Sequence, residues 1–166
     1  MRIFLSTLLG ACLFFSSACQ EEKAGPPRKF ISFKLDSVIY LSENPAGILT
    51  VPNTTDNNPD NDYPTLLITG TSNRGDQIAF SLVSPTNILQ PGFYESTQGN
   101  SMTITFNGGL SVIGASENTG IFALQILNVN GNVVEGTFTG ILSDLYGSAT
   151  PRVVSNGSFR AVYKQL

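Results

Sequence analysis

From Lys29 onward, apolar and polar residues alternate along most of the chain, with a period of two. In Gln77-Ile78-Ala79-Phe80-Ser81-Leu82 the residues Ile78, Phe80 and Leu82 fall on one side, and Met102, Ile104 and Phe106 do the same within Ser101 to Phe106. Successive side chains of an extended backbone point to opposite faces, so this alternation predicts strands with one face on a core. Further strands are predicted over Phe33–Leu41, Ile48–Val51, Thr65–Thr71, Leu110–Ile113, Gly120–Val129, Val133–Leu142 and Val153–Tyr163. Turn chemistry separates the runs at Pro91-Gly92, Asn107-Gly108-Gly109 and Asn130-Gly131, the last a two-residue hairpin loop flanked by Val129 and Asn132. No helical period is found after residue 28. The expected fold is therefore all-β, an antiparallel β-sandwich or flattened barrel of about eight to nine strands.

The predicted hairpin pairs Leu127 with Val134, Ala123 with Phe138 and Leu124 with Thr137. In that register Gly120–Val129 is apolar on both faces, with Ile121, Ala123 and Leu127 on one and Phe122, Leu124 and Ile126 on the other. Thr139, Thr137 and Glu135 then stand opposite the second set. One reading is a central strand covered on both sides. The other is an apolar groove in which Phe122, Leu124, Ile126 and Glu135 form a ligand or partner surface. Gly136 and Gly140 on the facing strand would mark a close backbone approach, a bend, or floor space beneath a ligand.

The front of the chain has a different pattern. Arg2 precedes a largely apolar run of 13 residues, Ile3 to Phe15, which is the length of a signal-peptide core and shorter than the roughly 20 residues of a membrane span. Ser16-Ser17-Ala18 then leads into Cys19. These residues resemble the lipobox of bacterial lipoproteins, which implies cleavage before Cys19 and lipidation of its thiol. A leader cut after Ala18 without lipidation also satisfies the small-x-small cleavage rule. Gln20-Glu21-Glu22-Lys23 is similar to the short acidic export signal of surface-exposed lipoproteins of some Gram-negative bacteria, the periplasmic face of the outer membrane being the alternative. Residues 1–18 are thus expected to be a signal peptide, 19–28 a lipidated cysteine and flexible linker, and 29–166 a single all-β domain. Gln20 to Arg28 spans at most roughly 30 Å at about 3.3–3.6 Å per residue, so the domain would sit close to its membrane.

Composition narrows the chemistry. The chain of 166 residues has no His, and its two cysteines, Cys12 and Cys19, both lie in the leader region. Histidine-based triads, His-ligated zinc and thiolate catalysis are thereby excluded from the domain. Nine Lys plus Arg against twelve Asp plus Glu give a net charge of -3 with no basic stripe, which disfavours nucleic acid, and none is expected as a partner. Asp56, Asn58, Asp60 and Asp62 recur at alternate positions, as oxygen ligands do in the first half of a calcium loop; Asn61 and Leu67 stand where the loop wants Gly and Glu. The competing reading is a solvated loop of Asx-turns. Asp36, Glu95, Glu117, Glu135 and Asp144 are the carboxylates available for a hydrolytic pair, with no spacing that selects two of them. Asp36-Ser37-Val38 resembles an O-glycosylation site of some of the same bacteria, with Ser37 expected in a strand.

The remaining markers are Pro91-Gly92-Phe93-Tyr94, Gly136-Thr137-Phe138 and Asn156-Gly157-Ser158-Phe159. They resemble small all-β lipoproteins of Gram-negative surface repertoires, which implies the architecture and transfers no catalytic residues. The expected function is a non-catalytic β domain anchored to the outer membrane by lipid, with no cofactor unless calcium binds. It would bind an envelope protein, a glycan or a small apolar ligand. A structural or adhesive spacer, or a carboxylate-dependent hydrolase, are the alternatives.

Overall fold

The computed structural model describes residues 27–56, 62–109, 111–146 and 149–166. The fold is all-β, and the described residues contain no α-helix. Eleven strands run in chain order: β1 Phe30–Leu35, β2 Val38–Glu43, β3 Ala46–Thr50, β4 Thr65–Thr71, β5 Gln77–Val83, β6 Gly92–Glu95, β7 Ser101–Thr105, β8 Val112–Ala115, β9 Ile121–Asn130, β10 Val133–Asp144 and β11 Arg152–Gln165. They form one sheet in the order β2-β1-β11-β3-β4-β5-β7-β8-β10-β9-β6, and a further β10–β11 pairing closes its middle into a ring. All pairings are antiparallel except β3 with β11. The ring is what makes this a flattened barrel: the strands within it are paired on both sides, and the sheet ends only at β2 and β6.

Two strand pairs extend from the ring, and each is clamped by polar groups. β1 and β2 leave one edge of β11, and β2 reaches the end of β4, where Asn73 N donates to Leu41 O at 2.7 Å and Leu41 N donates to Asn73 Oδ1 at 3.1 Å. β9 and β6 leave β10. The buried Asn100 ties β6 back to β5, its amide donating to Glu95 O at 2.9 Å while its oxygen accepts from Val83 N at 2.8 Å.

The alternating residues predicted to face inward do so: Ile78, Phe80, Leu82, Met102 and Ile104 are buried. The interior is filled rather than hollow. Phe138 lies with its ring centroid 4.8 Å from Phe80, 5.7 Å from Phe33 and 6.4 Å from Phe159, and Phe80 stacks on Phe122 at 5.9 Å. These spacings suit edge-on and offset aromatic packing.

Two departures from the expected strand count have local causes. The run Phe33–Leu41 is broken by a hairpin: Leu35 pairs with Val38, and Asp36 takes a left-handed φ of 56°, which a short polar side chain tolerates. Ser37 therefore sits exposed in a turn and not in a strand. The Pro91-Gly92 turn is followed at once by β6, where Phe93 and Tyr94 pair with Gln125 and Leu124.

The β9–β10 register also differs. Asn130 pairs with Val133, so the loop is Gly131-Asn132, with φ of 57° at Gly131. Gly at the first central position with Asn second suits a type II′ turn, and an Asn-Gly-Asn sequence offers both loops. The pairing then shifts between Glu135 and Gly136, leaving Leu127 as a bulge, so that Leu124 faces Phe138 and not Thr137. A slip of one residue exchanges the two faces of a strand. The residues at the bulge explain its glycine: a Cβ on Gly136 would fall on the Gln125 carbonyl oxygen and 2.9 Å from the Phe159 ring. Gly140 is equally crowded, with the Ile121 oxygen 2.7 Å from where its Cβ would be. Both glycines mark close backbone approach.

Candidate functional site

The bulge corrects the groove reading. Phe122, Leu124 and Ile126 are 1%, 0% and 1% exposed and belong to the barrel core, so they form no ligand surface. Glu135 lies apart from them on the outer face, where its carboxylate accepts from Asn128 Nδ2 at 3.1 Å and lies 3.3 Å from Arg160 Nη1. The same strands carry a trough of about 340 Å³ that Leu124 and Phe138 line from beneath, with Phe93, Gln125, Thr137, Thr139 and Asn156 around it. Beside it Ile121, Ile141 and Val153 form an exposed cross-strand row. Of the expected calcium loop, Asn58 and Asp60 lie outside the described residues. Asp56 accepts from Asn53 Nδ2 at 2.8 Å. Cys19 also lies outside the described residues.

A second concavity, of about 460 Å³, is lined by Val38, Tyr40, Arg74, Asp76, Phe106 and Arg152 and forms a mouth at one end of the barrel. Four elements contribute to it. Val38 and Tyr40 come from β2, directly after the Asp36-Ser37 turn. Arg74 and Asp76 come from the β4–β5 turn, Phe106 follows β7, and Arg152 begins β11.

The β4–β5 turn is rigid for reasons that lie in its sequence. The buried Ser72 hydroxyl accepts from Asp76 N at 3.1 Å and Arg74 N at 3.2 Å, and Ser72 N donates to Asp76 O at 2.8 Å. Gly75 supplies the left-handed φ of 86° that closes the loop. Asp76 is 5% exposed, and its Oδ1 accepts from Asn107 N at 2.8 Å, tying this turn to the β7–β8 turn. A buried carboxylate needs such donors to offset lost hydration.

Both arginines are held against rings. The Arg74 guanidinium lies 5.8 Å from the centroid of Tyr40, and that of Arg152 lies 5.6 Å from Phe106. Tyr40 in turn stacks on Phe33 at 5.1 Å, so the mouth is built directly on the aromatic core. Burial raises the Tyr40 phenol pKa above its usual value, and the neighbouring Asp76 carboxylate adds to the rise. Arg152 Nε donates to Asp36 Oδ2 at 2.8 Å, while Asp36 Oδ1 accepts from Val153 N at 2.9 Å. These two hydrogen bonds, the backbone one first, lower the Asp36 pKa.

Of the carboxylates singled out in the sequence, Asp36 alone touches a residue of the mouth, through its bond to Arg152, and it does not itself line the concavity. Tyr40, Arg74, Asp76, Phe106 and Arg152 were not legible as a site, because they are scattered over more than a hundred positions and only sheet closure brings them together. The one local signal is Ser72-Asn73-Arg74-Gly75-Asp76, a charged turn between two clean strands. The chain has no match among protein-family models, curated proteins or solved structures.

Proposed function

We propose that this chain is a non-catalytic β domain, tethered to the bacterial outer membrane through lipid on Cys19 and exposed at the cell surface, that binds a small ligand or part of an envelope partner at its mouth. The observation that carries the reading is the mouth: a concavity of about 460 Å³ with two guanidinium groups 5.8 and 5.6 Å from aromatic ring centroids. Pockets of a few hundred Å³ with a small set of convergent polar groups are the usual form of a binding site. Its placement supports the same reading. Arg28 and Glu43 are ion-paired where the linker enters β1, whereas Asp36 and Val38 lie about 17 Å further along at roughly 3.3 Å per residue. A tether at the entry leaves the mouth pointing away from the membrane.

Binding fits the mouth better than hydrolysis does. Asp36 accepts two internal hydrogen bonds that lower its pKa, whereas a general acid must hold a proton near neutral pH. Two measurements test the reading on the full chain purified from membranes in detergent. Intact mass should begin at an acylated Cys19, and a small-molecule fraction of the cell envelope should raise the melting temperature. An unmodified leader would remove the tether, and an unmoved melting curve would favour the spacer role.

A further inference from the structure

We propose that the mouth is an oxyanion site and that its ligand is a small monoanionic carboxylate. The proposal rests on the mouth being a binding site and names what it takes. The accounting of hydrogen bonds leads there. The carboxylates beside the arginines are engaged from within: Asp36 accepts at both oxygens, from Arg152 Nε and Val153 N, and the buried Asp76 accepts at Oδ1 from Asn107 N. The arginines are not used up in return. Among the described residues, Arg152 gives only its Nε to a protein acceptor, and Arg74 gives no side-chain hydrogen bond at all. What the mouth presents to an incoming molecule is therefore mainly N–H donors on two guanidinium planes.

Guanidinium has no acceptor, so its complement is an acceptor-only group, and a paired oxyanion matches its geometry best. The cation–π approach to Tyr40 and Phe106 biases the guanidinium positions before a ligand arrives, which reduces the ordering cost of binding. Val38, 37% exposed, and Phe106 add apolar wall for a carbon skeleton, and about 460 Å³ accommodates a molecule the size of a sugar acid. Charge selects between oxyanions. Asp36 and Asp76 balance the two arginines, so the mouth has no surplus positive charge to offset desolvation of a ligand's second negative charge. That favours a carboxylate over a phosphate.

The test is calorimetric titration of the full chain in detergent with glucuronate, galacturonate and benzoate, beside glucose and inorganic phosphate. At least one carboxylate should bind, more tightly than phosphate, and glucose should not. Arg74→Gln should weaken that binding about tenfold while leaving the melting temperature of the unliganded protein unchanged, since Arg74 is exposed. Arg160→Gln, on the outer face beside Glu135, should leave binding as it is. Failure of all three carboxylates, tighter binding of phosphate, or an Arg74→Gln affinity equal to wild type would each overturn the proposal. If envelope extract still raised the melting temperature after such a failure, binding would stand and only the ligand class would fall.

Discussion

Leu124 and Leu127 lie three positions apart in β9, on opposite faces, and provide a matched pair, because the register set by the bulge decides which of the two enters the core. Leu124 is 0% exposed, with Tyr94 on one neighbouring strand and Phe138 on the other, whereas Leu127 is 54% exposed. Truncating Leu124 to Ala removes three carbons' worth of buried surface, about 2.4 kcal/mol at roughly 0.8 kcal/mol per methylene. The cavity left among rings that cannot collapse onto it brings the expected loss to about 3–4 kcal/mol. With a urea dependence of about 2 kcal/mol per molar, the unfolding midpoint should fall by roughly 1.5–2 M. Leu127→Ala should stay within about 0.5 kcal/mol of wild type. The chain has no Trp, so unfolding is best followed by far-ultraviolet circular dichroism with tyrosine fluorescence as a second probe. A larger loss for Leu127→Ala would show that the bulge is misplaced and would return Leu124 to a surface role, and equal large losses would show that both faces of β9 are covered.

Other expectations follow from the same contacts. Gly157→Ala should destabilise the fold by about 1–3 kcal/mol, because a Cβ there would lie 2.6 and 2.7 Å from carbons of the buried Phe138 ring; thermal melting checks it. Asp36→Asn keeps a residue that tolerates the left-handed turn but removes the charge. Its folded pKa is depressed, so its contribution is fully present above the unfolded value of about 3.9 and is lost as pH falls through the lower folded value. Acid unfolding of the variant should accordingly be less steep than that of wild type below about pH 4. The Tyr40 pKa is raised, so the stability tied to its proton is present below about pH 10 and is lost as pH climbs through the higher folded value. Tyr40→Phe should flatten that alkaline limb in a pH-dependent denaturation series, leaving the part due to Tyr94, which burial also raises.

Strand positions were legible where alternation was clean, as at Ile78, Phe80 and Leu82, since one face of a sheet must be apolar wherever it meets a core. The errors arose where a single residue decides geometry. Asp36 turned a predicted long strand into a hairpin, and Leu127, by bulging, exchanged the faces of β9 and converted an expected groove into core. No periodicity records a bulge. The second face of β9 is nevertheless partly apolar, as Ile121 at 61% and Leu127 at 54% exposure show, so the two-sided pattern was real and only its assignment was inverted. The mouth was hidden for another reason. Its arginines carry no signature of spacing, and their meaning comes from ring stacking and from carboxylates already engaged elsewhere, which are properties of the closed sheet.

The most direct measurement of the central claim, that ligand chemistry resides at the mouth, is nitrogen-15 NMR of the arginine Nε–H groups during titration of the full chain with glucuronate, galacturonate or benzoate. Arg74 and Arg152 should shift along one saturable curve, while Arg28 and Arg160, whose ion pairs with Glu43 and Glu135 lie elsewhere on the surface, should stay in place. Shifts confined to Arg28 or Arg160, or spread equally over all four, would contradict it.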